Sequence, residues 1–280
     1  MQLAGAGSLH AELEDRIERL EIPWNRFGYD PYGASKRHLV RTLLPFCWAY
    51  RHYFGVRVHG IANVPARGRA MLVGNHSGGI ALDAAMVIAA MLLELDPPRL
   101  AHGMADRFLS RWPFLAVLAQ RCGQMTGLPE HAERLLEAER LLLVFPEGAH
   151  GTEKLYRQRY SLVDFGTGFV RLALAAKAPI VPFAFLGGGE AIPTVANAYK
   201  LGRRFGAPYL PVTPWVLPLP LPVRLDIHFG EPVVLGGTGD EDDEVVAAHV
   251  ERVKLAIAGL IAHGKRVRRV GATRGAGATP

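Results

Sequence analysis

Apolar residues along this chain recur with two periods, and the change from one to the other marks out its elements. At 11–22 (AELEDRIERLEI), Leu13, Ile17, Leu20 and Ile22 keep a helical spacing with acids between them. That predicts a short amphipathic helix stopped by Pro23. Residues 1–8 carry no such pattern and read as loose, and 24–33 as an aromatic, turn-rich arm. Ser35 stands where an N-cap would open a helix over 36–53, in which Pro45 predicts a bend. Runs of strand character follow at 54–60, 70–73, 100–104, 140–145, 179–186 and 223–229, with a short strand or turn at 123–127. Helical runs separate them at 80–95, 129–138 and 166–177, and a last one covers 240–262, where the acids of 240–244 favour the positive end of its dipole. The run 108–121 is apolar with Pro113 inside, hence one kinked helix or a helix and a loop.

Strands alternating with helices argue for an α/β fold, with a mixed, largely parallel central sheet flanked by helices and N-terminal amphipathic helices over part of it. The stretch 187–222 is rich in Gly, Pro and aromatics and reads as an insertion, not a boundary. The chain divides into N-terminal helices at 1–53, a main domain at 54–235, a C-terminal helix at 236–264 and a basic tail at 265–280 that is expected to be disordered.

With 280 residues at 49% hydrophobic, the chain is long enough for a sizeable core. Cys47 and Cys122 are far apart and read as reduced, buried thiols of a cytoplasmic protein. Of the formal net charge of +6, five charges fall in 265–274 with no acid among them, so the body is nearly neutral. A neutral body with a basic end suits lipid headgroups or nucleic acid, or leaves a solvated tail. No basic segment followed by an apolar core opens the sequence, so no signal peptide is expected, and no apolar run approaches ~18 residues, so no spanning helix is expected. The 36–53 helix sets Lys36, Arg37, Arg41 and Arg51 beside Trp48, Tyr50 and several Leu, which fits either a membrane interface or packing on the body. The stretch 212–223 (VTPWVLPLPLPV) carries Trp215 and is expected to dip into an interface with it.

Candidate chemistry begins where the 70–73 strand hands over to a helix. Asn75, His76, Ser77, Gly78 and Gly79 occupy that turn, with Asp83 seven residues after His76. A base needs an acceptor at a pocket mouth, the glycines let a substrate approach, and a carboxylate on one imidazole nitrogen would fix the tautomer. The plain alternative is a structural histidine. Phe145, Pro146, Glu147 and Gly148 end the 140–145 strand, which aims Glu147 at the sheet end where ligands of α/β proteins bind; alternatively Glu147 is a turn carboxylate paired with Lys154 or Arg157. Pro182 after Val181 suggests a sheet edge or pocket wall. The tract 114–118 (FLAVL) suits an acyl groove or ordinary core.

Asn75-His76 with Asp83, then Phe145-Pro146-Glu147-Gly148, then Val181-Pro182, in this order and at these separations, resemble the glycerolipid (lysophospholipid) acyltransferase superfamily. The closing strand 223–233 (VRLDIHFGEPV) fits the end of that domain, and the resemblance covers about 54–235. It implies a membrane-associated O-acyltransferase in which His76 is the general base, Asp83 orients it and Glu147, with Phe145, Pro146 and Gly148, helps bind the acceptor. Asn75, Ser77, Gly78, Gly79, Val181 and Pro182 would line the pocket. The co-substrate would be acyl-CoA or acyl-carrier protein, with no cofactor and no metal. The partners would be membrane lipids at the cytoplasmic face of a membrane, with no nucleic acid. The oligomeric state is not given by the sequence.

Two departures matter. Members of the superfamily usually place four residues between His and Asp; here six intervene, and Gly78-Gly79 must absorb the difference. Members that handle phosphate carry a Gly followed closely by an Arg before FPEG, and 123–127 (GQMTG) has no Arg. Either Arg121, Lys154, Arg157 or Arg159 holds the phosphate of a lysophospholipid or 1-acylglycerol-3-phosphate, or the acceptor is diacylglycerol or another lipid alcohol without one. A non-catalytic lipid-binding protein on the same fold is the reading from another class. GxSxG, Walker A, GxGxxG and zinc-type histidine spacings are all absent.

Overall fold

The structure, a computed structural model, describes residues 3–79, 81–105, 113–204, 206–216 and 218–276. The strands are β1 (Arg57–His59), β2 (Ala70–Gly74), β3 (Ala101–Ala105), β4 (Met125–Thr126), β5 (Leu141–Val144), β6 (Ile180–Leu186), the two-residue pair β7 (Ala196–Asn197) and β8 (Pro211–Val212), and β9 (Asp226–Phe229). All but β7 and β8 join one sheet in the order β1-β9-β6-β2-β5-β3-β4. Neighbours run parallel except β6 and β9. The fold is therefore α/β with a mixed, mostly parallel sheet, as the alternation of periods predicts.

The pattern within β2 explains the layers. Ala70 and Leu72 face one way and Met71 and Val73 the other, and all four are buried. A strand apolar on both sides needs cover on both. Helices α1 (Leu3–Glu18), α2 (Lys36–Trp48) and α3 (Leu82–Leu93) cover the first face. Helices α5 (Pro129–Glu137), α7 (Gly168–Ala175) and α10 (Asp243–Ala276) cover the second, α10 through Val246, Val250, Val253, Ile257 and Ile261 at helical spacing. The remaining helices are α4 (Pro113–Arg121), α6 (Gly148–Thr152), α8 (Gly188–Ala191) and α9 (Tyr199–Arg204). Cys47 and Cys122 are buried free thiols.

Several expectations need correction. The first helix begins at Leu3 and ends at Glu18, well short of Pro23, because residues 19–22 turn tightly and bring Leu20 into the core. Ser35 opens α2, but its hydroxyl meets His38 Nδ1 at 3.1 Å and makes no cap bond. Helix α2 passes through Pro45 and widens into a π-helical turn at Ala49–Tyr53, closed by Phe54 N–H on Ala49 O at 2.8 Å. Pro113 opens α4; the rest of the expected kinked run, 106–112, lies outside the described residues. The 114–118 tract is neither core nor groove: Phe114 is 90% exposed, and Leu115, Val117 and Leu118 are exposed too.

The tail is not disordered where it is described. Helix α10 continues past 264 to Ala276, and only 277–280 lie outside the described residues. Pro182 does not mark an edge either, since β6 lies between β9 and β2. Its carbonyl accepts Gly230 N–H at 2.8 Å, on the side where β9 has already ended at Phe229, so the missing donor falls opposite irregular chain instead of a ladder. Val181 and Pro182 pair with Leu72 and Val73 and are buried within the sheet, supporting the strand ends and not lining a pocket.

Gly74 ends β2 against Phe183 of β6. A Cβ there would meet the Phe183 ring at 2.3–2.5 Å. Gly74→Ala should therefore lower the unfolding free energy by about 1–3 kcal/mol, the usual cost of overpacking. Urea titration would check this, and a variant as stable as the parent would contradict it.

Candidate active site

Val73 pairs with Val144, so the chains leaving β2 and β5 emerge side by side at the carboxyl ends of parallel strands. The first delivers His76 and the second Glu147. Asn75 extends the sheet by one rung: its Oδ1 accepts Phe185 N–H at 2.9 Å and its Nδ2 donates to Phe185 O at 3.1 Å. A side-chain amide standing in for a strand partner fixes the turn that follows.

His76 and Asp83 meet, with Nδ1 3.0 Å from Oδ2. The same oxygen accepts Ser77 N–H at 3.0 Å and the Ser77 hydroxyl at 3.3 Å, and Oδ1 accepts Ala84 N–H at 2.8 Å. Asp83 has no solvent exposure and sits in the first turn of α3. Burial alone would raise its carboxyl; the charge and hydrogen bond of His76 and the two backbone donors outweigh that and hold it below the ordinary carboxylate value. Gly78 and Gly79 take φ of +92° and +78°, the left-handed region that glycine tolerates. Neither position has room for a side chain: a Cβ on Gly78 would lie 2.7 Å from Lys154 O, and one on Gly79 2.9 Å from Ile192. These two residues take up the longer His-to-Asp spacing. Ile80, within the same loop, lies outside the described residues.

The imidazole is also held flat. Phe145 stacks on it at 3.9 Å between centroids and 9° between planes, and Phe183 meets Phe145 edge-on at 5.7 Å. Phe145 thus reaches the site as a support for His76. Pro146 O accepts Gly166 N–H, and Gly148, at φ +54°, closes the turn onto Phe145 O.

Glu147 is buried and its partner is Lys154, as the plain turn-carboxylate alternative had it; Nζ contacts Oε2 and also donates to His76 O at 2.9 Å. Lys154 therefore ties the Glu147 turn to the His76 loop. Gly151 lets them close, since a Cβ there would sit 2.7 Å from Glu147 Cβ and 2.8 Å from His76 Cβ. Burial pushes the Glu147 carboxyl up and the Lys154 ammonium down, each shift partly offset by the other's charge. Glu147 Oε1 is buried with no hydrogen-bond partner among the described residues.

The other sequence candidates are dispersed. Arg121 donates to Gly33 O at 3.0 Å and lies over the Tyr29 ring, engaged with the N-terminal arm. Arg159 Nε donates to Glu190 Oε1 at 3.1 Å and stacks on Tyr156 and Tyr160. Arg157 is exposed. Sequence reasoning missed Tyr209, whose hydroxyl donates to Gly79 O at 3.1 Å, and α8, where a Cβ on Gly188 would lie 2.0 Å from Ser77 Oγ. Both come from the aperiodic 187–222 stretch, where no spacing pointed to them.

One grouping among the described residues brings metal-ligand atoms together: His59, Asp226 and His228 lie within 4.8 Å on paired strands β1 and β9. Burial, with His59 close by, pushes the His228 imidazole down to about 4. Asp226 Oδ1, however, accepts Arg57 Nε at 3.0 Å and Oδ2 accepts Arg268 Nη1 at 2.7 Å. Two guanidiniums already meet that charge and would oppose a divalent cation.

Because its folded-state carboxyl is lowered, Asp83 contributes stability that is present above the unfolded value of ~3.9 and lost as pH falls through the folded one. The stability difference between the parent and Asp83→Asn should be largest near neutrality and shrink below about pH 4. Urea midpoints across that range would check it; a pH-independent difference would contradict it.

Residues 55–186 match the family model described as Acyltransferase. An uncharacterised protein of Mycobacterium tuberculosis is 37% identical over 232 residues, covering 79% of this chain and 63% of that protein. A Gallus gallus protein named "DGAT1/2-independent enzyme synthesizing storage lipids" is 29% identical over 188 residues, covering 65% of this chain and 53% of its own length. The chain thus spans less than two thirds of the curated relatives it matches. The crystal structure of the 1-acyl-sn-glycerophosphate (LPA) acyltransferase PlsC from Thermotoga maritima shares the fold, with a TM-score of 0.51 and 18% identity over 80% of this chain and 83% of that one. The family model is thus seated on the part of the sheet that carries His76, Asp83 and Glu147, and residues 55–186 form a domain of the Acyltransferase family.

Proposed function

We propose that the protein transfers a fatty acyl group from an activated thioester to the hydroxyl of a lipid alcohol that carries no phosphate, such as diacylglycerol, with His76 as general base. Asp83, ionised and bonded to Nδ1, leaves Nε2 as the proton acceptor. The acceptor hydroxyl gives its proton to Nε2 as its oxygen attacks the thioester carbonyl. Collapse of the tetrahedral intermediate breaks the carbon–sulfur bond, and the imidazolium returns the proton to the leaving thiolate. Asp83 stabilises the imidazolium in between. Glu147, paired with Lys154, holds the His76 loop in place through the Lys154 bond to His76 O.

The observation that carries the choice of acceptor is that the cations packed against the His76 loop are already matched. Lys154 is paired with Glu147 and Arg159 with Glu190. Arg121 is turned to the N-terminal arm, and Gln124, in the segment that lacks the arginine, hydrogen-bonds the backbone of Ala101, Cys122 and Gly103. Among the described residues, a phosphate beside the base would find no fixed, uncompensated charge. The name of the Gallus gallus relative, which speaks of storage lipids, supports the same reading.

Purified protein given an acyl thioester should esterify diacylglycerol at least about tenfold faster than 1-acylglycerol-3-phosphate, and His76→Ala should lose about 10²–10⁴-fold of the rate. Products are read by mass spectrometry. A preference for the phosphorylated acceptor would overturn the acceptor assignment, and no transfer by the parent would favour the non-catalytic lipid-binding reading.

No helix among the described residues is long and apolar enough to cross a membrane. Exposed apolar residues nevertheless gather on α2 and its π-turn (Phe46, Trp48, Tyr53), on α4 (Phe114, Leu115, Val117, Leu118) and at Trp215, Val216, Leu219 and Leu221. Tyr53 donates to Pro220 O at 2.7 Å, so the first and last of these adjoin; Leu217, which follows Val216 in sequence, lies outside the described residues. A patch of this kind supports docking on a lipid surface. Substituting Phe114, Trp48 and Trp215 by Ser should abolish flotation with phosphatidylcholine vesicles; undiminished flotation would contradict it.

A further inference from the structure

A basic ridge stands beside the site, and nothing in the chemistry at His76 uses it. Helix α10 crosses the sheet as far as Gly264, which packs closely: a Cβ there would lie 2.9 Å from both His228 Nε2 and Leu186 Cδ1. Beyond it the helix runs out past the site. Lys265 Nζ lies over the Tyr160 ring at 5.3 Å, and Arg268 Nη1 donates to Arg224 O at 2.8 Å and to Asp226 Oδ2 at 2.7 Å. Tyr160 in turn donates to Glu190, the partner of Arg159. The turn into α8 joins this ridge to the base. A Cβ on Gly187 would lie 3.0 Å from Arg268 Nη1, while the next residue, Gly188, abuts Ser77.

The charges on the ridge do not cancel. Glu190 answers Arg159, and buried Asp226 is shared by Arg57 and Arg268. Lys265 and the exposed Arg224 have no acidic partner among the described residues. Among the described residues, Lys154 and Arg159 beside the base are matched by Glu147 and Glu190, while on the ridge positive charge is left over.

We propose that this ridge, centred on Lys265, Arg224 and Arg268, binds the phosphates of a coenzyme A thioester and so selects the acyl donor. The inference rests on the acyl-transfer reading above. Placement favours the donor over a phospholipid acceptor. A lipid phosphate next to the reacting hydroxyl would have to lie against His76, where the cations are taken. Coenzyme A carries its phosphates at the far end of the pantetheine arm, so they can reach the ridge while the thioester carbonyl stands at Nε2. Arginine and lysine are the donors suited to phosphate oxygens.

The test is calorimetric titration of the full chain with free coenzyme A and, separately, with pantetheine, which lacks the phosphates. The parent should bind coenzyme A more tightly and with a steeper salt dependence. In Lys265→Ala/Arg224→Ala, affinity for coenzyme A should fall about tenfold and its advantage over pantetheine should collapse. Lys265→Arg should retain it, and circular dichroism would report that each variant is folded. Equal affinity of the parent for the two ligands would overturn the proposal. So would unchanged coenzyme A affinity in a double variant that no longer binds vesicles of phosphatidylglycerol and phosphatidylcholine, because the ridge would then serve lipid headgroups. Phosphate-dependent coenzyme A binding without acyl transfer from any thioester, acyl-pantetheine included, would support the ridge and overturn the reaction.

Discussion

A carboxylate with no access to water has to find all of its compensation within the protein, and the Asp83 carboxylate does so inside one short loop. His76 Nδ1, the Ser77 N–H and hydroxyl, and the Ala84 N–H converge on it. Without them a buried charge would be strongly unfavourable; with them, the β2–α3 connection has one arrangement. Much else follows from that arrangement. The glycines at 78 and 79 must take positive φ, Lys154 and Ile192 can pack against them because they lack side chains, and Tyr209 can reach the Gly79 carbonyl. The insertion between β6 and β9 is thereby drawn over the site.

A second buried charge pair, Glu147 with Lys154, works on the other strand end. Each partner would be destabilised alone, and Lys154 also caps the His76 carbonyl, so the two loops hold each other in place. The consequence for recognition is indirect. A cation committed to a buried acid and a backbone carbonyl is poorly placed to bind a phosphate as well. Charge available for ligands is displaced outward, to where α10 leaves the sheet.

What the sequence disclosed follows the strength of its local signals. β2, β5 and β6 are short apolar runs bounded by turns, and their positions were legible to within a residue or two. His76, Asp83 and Glu147 were legible because each sits next to a strand end or a helix start, where residue type and position agree. Side-chain partners were less so. Arg121 and Arg159 are near the motif in sequence, yet a cation–π contact with Tyr29 and an ion pair with Glu190 claim them, and neither partner is local. Pro182 misled because a missing N–H marks an edge only if a neighbour needs it, and β9 stops one residue short. The tail misled in the opposite way. Its charge suggested a solvated segment, whereas Gly264 and Arg268 anchor it to β9 through contacts far along the chain.

The flat stacking of Phe145 on His76 has a kinetic side. An imidazole tethered at Nδ1 and lying against an aromatic face cannot turn over about its own axis without breaking both contacts. Its free nitrogen therefore keeps one bearing. With His76 as the proposed base, the search for a reactive geometry would fall on the incoming molecules alone. A molecule arriving from the wrong side would meet a ring that cannot swing round to receive it.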